Sequence, residues 1–366
     1  MNHKLGLSTV SAIGQGTWSD NHAIRNYQYD NQDRISALKL GIKLGMTFID
    51  TAEIYGKGQA EKIIAESIKD IDRKDIFITT KVSPQNLYYD NLIRSAENSL
   101  IRLNTDYIDL YQIHWANPTI DLEDTFSAMK YLLDAGKIKN IGVCNFDLEE
   151  LKYAENISKR LNFKLVSNQM EYNLLDNTID NDIIPYCNDN NIRIIAYSPL
   201  KWLSWIIDKN IINNNVSQKR YILENIAKKY DKTISQIILN WIISKNLIVI
   251  PNSYNLKHIK ENAFASDFNL DKSDIDIINK TFKSNIVYID IDKIDVDMKE
   301  INIDIDKLIP DPKDIARTLF KDTIIKPIKV IRTENRYRLV EGTVKYLSWK
   351  YAFEKDPVPI RSLIIR

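Results

Sequence analysis

The chain has 366 residues, 44% of them hydrophobic, and a formal charge of +1, enough apolar content for a sizeable core and no overall pull toward nucleic acid or membrane. Its two cysteines, Cys144 and Cys187, form neither a metal-ligand spacing nor a disulfide framework, which fits a reducing compartment. The first residues, MNHKLGLSTV, lack an apolar signal core and no apolar run approaches the roughly 20 residues of a membrane span, so a cytoplasmic protein is expected.

Residues 12–18, AIGQGTW, read as a short strand whose Gly14 and Gly16 suit close backbone approach. The third glycine of a dinucleotide fingerprint is missing and no helix follows at once, so this is not a Rossmann phosphate loop. From Arg34 onward, Ile35, Leu38 and Ile42 recur at helical spacing, and Gly45 stands where a glycine stops a helix. A strand over 47–51 then opens into FIDTAEIYG (48–56), which carries an acid and, five residues later, a phenol. A helix over 59–68 and a strand over 76–81 follow.

The same alternation repeats, with helices over 91–103, 122–134, 148–161 and 182–190 between strands over 107–114, 138–145, 165–169 and 192–197. A longer connection with helices over 219–230 and 234–245 reaches a last strand over 247–250. Parallel strands need crossovers and are buried on both faces, so eight such units predict an α/β fold of the (β/α)8 TIM-barrel type over 1–284. Such a barrel takes about 250 residues, which leaves a second, smaller domain.

Barrel active sites form from residues of several strands at their C-terminal edge. Here the strands end in Thr17 and Trp18, Asp50, Lys81, His114, Asn145, Gln169, Tyr197, and Asn252 with Ser253. Singly, each has a structural explanation as a solvated strand end, a core histidine or a helix cap. An acid, a phenol, an ammonium and an imidazole at one mouth are harder to assign to packing. No metal site is expected.

These residues resemble the aldo-keto reductases over about 12–282, in GTW at Gly16, DTAEIYG at Asp50, TTK ending at Lys81, and SLIRLNTDYIDLYQIHW through His114. The resemblance continues in IGVCNF, NQMEYNLL, AYSPL, IPNS and ENAFASDFNL. It implies a carbonyl reductase with a catalytic tetrad of Asp50, Tyr55, Lys81 and His114. Chemically, a carbonyl needs a hydride on carbon and a proton on oxygen, and a free tyrosine with a pKa of about 10 is a slow donor at neutral pH. Lys81 is expected to lower the Tyr55 pKa, Asp50 to hold Lys81, and His114 to bond the substrate oxygen.

The resemblance also implies NADPH or NADH bound without a Rossmann fold. It assigns Asn145 and Gln169 to the carboxamide, Tyr197 to stacking on the nicotinamide, and Ser198, Pro199 and Leu200 to the pyrophosphate. On the same resemblance Thr17, Trp18, Cys144, Pro251 and Ser253 are expected to contact the cofactor, and Glu261 and Asn262 match the family's adenine contacts. Where NADP-preferring members place a lysine and an arginine, this chain has Asn252 and His258, so weakened NADP preference is expected. Cys144 stands where a serine is usual. The resemblance implies a small-molecule aldehyde or ketone as substrate, sugar-like or aromatic, with Trp202 and Trp205 offering an aromatic wall or packing between loop and helix.

Beyond the barrel the composition changes. Residues 285–306 hold seven Asp or Glu and two Lys in alternation with isoleucine and valine, an acidic strand or linker. Residues 307–366 hold fourteen Lys or Arg against seven Asp or Glu, a net of +7. Their order, DKLIPDP, a short helix, KPIKVI, a turn at 333–335, YRLVEG, a helix and VPIRSLII, resembles a small α+β ParB N-terminal/sulfiredoxin-like domain. That resemblance implies a nucleotide phosphate site at Gly342 and Lys345 after Glu341, with lysine in place of the usual arginine. No helix-turn-helix pair follows, so nucleic acid is not an expected partner. The alternative to an enzyme is a nicotinamide-nucleotide sensor or scaffold signalling through this domain.

Overall fold

The computed structural model describes residues 1–18, 30–211, 214–284, 286–296, 312, 328–333, 336–354 and 359–364. The chain opens with an antiparallel hairpin, β1 (Asn2–Leu5) and β2 (Ser8–Ser11), which the sequence reading did not include. The barrel strands follow in chain order: β3 (Gln15–Gly16), β4 (Phe48–Asp50), β5 (Phe77–Val82), β6 (Leu110–Ile113), β7 (Ile141–Cys144), β8 (Leu165–Glu171), β9 (Arg193–Tyr197) and β10 (Ile248–Ile250). They form one eight-stranded parallel sheet ordered as in the chain. Its two edges meet where Gly14 N donates to Val249 O at 2.8 Å, Val249 N to Ala12 O at 2.9 Å and Gly16 N to Pro251 O at 3.0 Å. The sheet is thus a nearly closed barrel with flanking helices.

Outside lie α1 (Asn31–Lys43), α2 (Gln59–Ile68), α3 (Tyr89–Leu103), α4 (Leu122–Asp134), α5 (Leu148–Arg160), α6 (Ile183–Asp189), α7 (Leu203–Ile207), α8 (Asn214–Tyr230), α9 (Ile234–Ser244), α10 (Leu256–Ala263) and α11 (Lys272–Thr281). The longer ones turn an apolar stripe inward. On α3 the buried set is Leu92, Ser95, Ala96, Ser99 and Leu103, the spacing of one helical face. Several helix starts are fixed by side chains, as in the reciprocal capping box of Asp147 and Glu150 on α5. The end of α1 is a Schellman turn: Met46 N donates to Gly41 O and Gly45 N to Ile42 O, with Gly45 at φ +90°.

Two apolar clusters result. The larger fills the space between strands and helices. The smaller joins Leu5 and Val10 of the hairpin to Phe48, Phe77, Leu110, Val166, Ile195 and Ile248, so the hairpin seals the N-terminal floor of the barrel. The close approach expected at Gly14 is internal: a Cβ there would lie 2.7 Å from both Phe48 Cδ1 and Phe48 O.

A second, mixed unit follows. It comprises β11 (Ile286–Ile289), β12 (Ile294–Asp295), β13 (Ile328–Arg332), β14 (Tyr337–Glu341), α12 (Thr343–Ala352) and β15 (Ile360–Ile364). The sheet order is β11-β15-β13-β14-β12, so the acidic stretch contributes both edge strands. Its core joins Ile328, Val330, Leu339, Tyr346, Leu347, Trp349 and Ile360. Gly342, at φ +98°, turns β14 into α12 where a Cβ would meet Ile328 Cγ2 at 2.9 Å. The short helix expected after DKLIPDP and the centre of the turn at 333–335 lie outside the described residues. Among the described residues no helix is long and apolar enough to cross a membrane.

Candidate active site

Parallel pairing carries Asp50, Lys81 and Gln169 to one end of the barrel, with His114 just past β6 and Tyr55 in the turn after β4. Lys81, fully buried, donates from Nζ to Asp50 Oδ1 at 2.8 Å, Asp50 Oδ2 at 2.9 Å and Thr51 O at 2.8 Å, and reaches the Tyr55 hydroxyl at 3.4 Å. Gln169 Nε2 donates to Asp50 Oδ1 at 2.7 Å, so that carboxylate has two donors on one oxygen. Tyr55 Oη lies 3.5 Å from His114 Nε2. The four expected catalytic side chains therefore stand together around one hydroxyl.

The electrostatics follow from burial and this pairing. Burial pushes Asp50 up from the ordinary carboxylate range while Lys81 and Gln169 pull it back. Burial works against the Lys81 charge, but Asp50 and Tyr55 outweigh it, and the ammonium titrates above its usual value. His114 is held well below the ordinary imidazole value, by burial first and by the Lys81 charge second, so the ring is neutral. Its Nδ1 is buried without a hydrogen-bond partner among the described residues, and its ring stacks on Trp115 at 3.8 Å between centroids.

The expected lowering of the Tyr55 pKa is corrected here. Lys81 does act downward, but burial is the larger influence and Asp50 offsets part of the lysine's charge, leaving the phenol above its ordinary value. Tyr55 is thus held in its protonated, proton-donating form at neutral pH.

The expected cofactor residues adjoin this cluster at the strand ends. Thr17 Oγ1 donates to Asp50 O at 2.9 Å, and Tyr254 Oη to Thr17 O at 3.4 Å. Trp18 is exposed, and its carbonyl accepts from Asn252 Nδ2. Tyr197 is half-buried with its hydroxyl on Asn145 Oδ1 at 2.8 Å, and Asn145 Nδ2 donates to His114 O at 3.2 Å and to Cys144 Sγ at 3.2 Å. Gln169 Nε2 is committed to Asp50 and to Gln112 Oε1 at 3.2 Å. Both amide nitrogens thus point inward, while each amide oxygen keeps acceptor capacity. That fits a nicotinamide carboxamide received through its amino group, beside a tyrosine ring held by its own hydroxyl.

Ser198 and Leu200 are half-buried and Pro199 buried in the turn after β9; Pro251 is buried and Ser253 half-buried after β10. His258, Glu261 and Asn262 lie on α10, which packs against α1; His258 is exposed, Glu261 half-buried and Asn262 buried. Trp202 and Trp205 are half-buried and pack against the barrel core. Trp115, 42% exposed beside His114, is the indole that the sequence reading passed over, although it directly follows the histidine. Gln112 was also missed: it accepts from Thr79 and Gln169 and donates to Val143 O, which orders the layer beneath the tetrad.

Gly342 and Lys345 do not join this site. The Lys345 charge acts on the Asp147 and Glu150 carboxyls at the start of α5.

Residues 12–283 match the model of the Aldo/keto reductase family. The methylglyoxal reductase YeaE of Escherichia coli is 31% identical over 278 residues, 76% of this chain and 93% of that protein. A glyoxal reductase of Bacillus subtilis is 33% identical over 260 residues, 70% of this chain and 87% of that protein. An aldo/keto reductase from Klebsiella pneumoniae, solved in complex with NADP and acetate, superposes with a TM-score of 0.67 at 30% identity, covering 77% of this chain and 95% of that one.

Proposed function

This chain belongs to the aldo/keto reductase family, and from that premise we propose that it reduces small aldehydes, 2-oxoaldehydes foremost, at the Tyr55 hydroxyl. It is an NAD(P)H-dependent oxidoreductase. The observation that carries the reading is the Tyr55 hydroxyl 3.4 Å from a buried, Asp50-bound ammonium and 3.5 Å from a neutral imidazole.

When bound, the nicotinamide supplies the hydride. Tyr55 and His114 together receive the carbonyl oxygen: neutral His114 positions it through Nε2, and Tyr55 delivers the proton. As that proton leaves, the growing phenolate charge is met by Lys81, which Asp50 keeps charged and in place. Water is kept from below by the buried layer of Gln112, Thr79 and Gln169. The exposed Trp115 beside His114 forms one wall for the rest of the substrate.

The relatives named for glyoxal and methylglyoxal support a compact substrate with adjacent carbonyls. Two hydrogen-bond donors converging on one oxygen suit such an electrophile. Following NADPH absorbance with methylglyoxal, aromatic aldehydes, ketones and sugars tests the substrate class; highest kcat/KM is expected for the 2-oxoaldehyde. Tyr55→Phe is expected to lose about 10²- to 10⁴-fold in turnover while still binding NADPH. Turnover that survives this change removes Tyr55 from the role of acid, and a wild-type protein that binds NADPH but reduces no carbonyl favours the sensor reading.

For the cofactor, weakened NADP preference rests on Asn252, whose side chain is spent on Trp18 O, and on exposed His258. A ParB-like nucleotide site in the C-terminal unit has less behind it: it rests on the order Glu341, Gly342, Lys345, while the Lys345 charge is already engaged by Asp147 and Glu150. Calorimetric titration of the full chain with CTP and ATP tests it.

A further inference from the structure

The C-terminal unit is fastened to the barrel through buried charge. Lys329 lies on β13, the central strand of its sheet, between Ile328 and Val330, which face that unit's own core. Alternation along the strand, with a register shift between Lys329 and Val330, turns the lysine to the opposite face. There its Nζ stands 2.5 Å from Glu171 Oε2 and 2.9 Å from Asp176 Oδ2, and all three side chains are at most 3% exposed. Both carboxylates belong to the barrel, at the end of β8 and in the loop after it.

That same loop holds the chain where it leaves the barrel. Asn177 N donates to Ser284 Oγ at 3.0 Å, Ser284 N to Asn177 Oδ1 at 2.9 Å, and Asn177 Nδ2 to Phe282 O at 2.7 Å. At its other end the loop touches the cofactor side: Tyr172 N donates to Tyr197 O at 3.2 Å. Glu171 uses its second oxygen, Oε1, to hold Lys201 at 3.1 Å. Lys201 sits in the turn after Tyr197, in which both Ser198 (φ +52°) and Trp202 (φ +70°) adopt left-handed backbone without being glycine. Such a turn persists only where its surroundings hold it.

We propose that Lys329 is a positioning residue for cofactor binding: as the cation shared by Glu171 and Asp176 it fixes Glu171 where its other oxygen grips Lys201, and the C-terminal unit thereby clamps the Ser198–Trp202 turn in its binding shape. The inference rests on the reading that this turn borders the cofactor pyrophosphate. Without Lys329 the two buried carboxylates lose the cation between them, and the Lys201 ammonium and Asn173 amide on Glu171 Oε1 do not reach across to Asp176; the carboxylates repel, Glu171 shifts, and the strained turn relaxes. Linkage then requires the reverse as well: cofactor that favours the held turn must favour docking of the C-terminal unit.

NADPH binding to the full chain, read from nicotinamide fluorescence, tests the idea. Lys329→Met is expected to raise the NADPH Kd roughly fivefold or more, and its KM far more than it lowers kcat, while Lys329→Arg recovers most of the affinity. A folded Lys329→Met protein with wild-type Kd overturns the proposal. Should that variant not fold, hydrogen exchange on the wild type decides: saturating NADPH is expected to slow exchange in 328–332 and 343–352, and unchanged exchange there overturns the clamp. A wild-type chain that binds no NADPH overturns the functional reading itself and the clamp with it, whereas normal wild-type binding with an indifferent Lys329 overturns the clamp alone.

Discussion

Lys81 Nζ donates to both oxygens of Asp50, at 2.8 and 2.9 Å, with the lysine wholly and the aspartate almost wholly removed from water. A pair this deep does not yield stability in proportion to its Coulomb attraction, because both charges gave up hydration to form it. Its worth lies in keeping a cation beside Tyr55 in place.

Breaking the pair from one side is therefore costly. Lys81→Met is expected to destabilise the fold by about 3–5 kcal/mol, the usual consequence of an uncompensated buried charge. Adding Asp50→Asn should restore most of that loss without restoring turnover. Urea denaturation and NADPH-dependent reduction, measured on the same three proteins, separate the two effects.

The pH behaviour of the site follows from its two uncharged members. His114 is held well below the ordinary imidazole value, so reduction should show no limb from this histidine near pH 6.5. The unfolded chain binds this proton more readily than the folded one, so the stability His114 contributes is present above the unfolded pKa and is lost as pH falls below about 6.5. Because Tyr55 titrates above its ordinary value, alcohol oxidation, which needs the phenolate, should still be rising with pH beyond about 10, the free phenol's value. Initial rates in both directions from pH 5 to 10.5 check these expectations.

At the start of α5, burial and neighbouring Asp147 push Glu150 up to about 7, against the opposing pull of Lys345. The folded state thus holds this proton more tightly than the unfolded chain. Its contribution to stability is full at low pH and is lost as pH rises through about 7. Glu150→Gln should flatten that part of the profile, seen as a smaller fall in Tm between pH 5 and 7.5.

Cofactor choice can be shifted at one residue. Asn252→Lys replaces an amide spent on Trp18 O with a cation, and should raise kcat/KM for NADPH over NADH about tenfold, the yield of one charge-assisted contact. A wild-type enzyme that already prefers NADPH by several orders of magnitude would contradict the premise.

What the sequence revealed and concealed has a physical pattern. That Asp50, Lys81 and His114 lie together was legible because strand ends in a parallel barrel converge, so linear order becomes spatial proximity. The sign of the Tyr55 shift was not, because it depends on burial by groups distant in the chain and on how much of the Lys81 charge Asp50 cancels. The opening hairpin escaped notice because two four-residue strands rich in Ser, Thr, Asn and Lys carry little apolar signal. The Lys329 contact, across more than 150 residues of chain, has no sequence signature: one lysine in a basic tail looks like any other until its partners are seen.

The hairpin that seals the barrel floor has a practical corollary. Its tip residue, Leu7, is 99% exposed, while Leu5 and Val10 on either side are anchored in the floor. A peptide epitope or fluorophore attachment site inserted after Leu7 would sit at the opposite end of the barrel from Tyr55. It would report on the intact protein, by surface capture or anisotropy, without entering the path of cofactor or substrate.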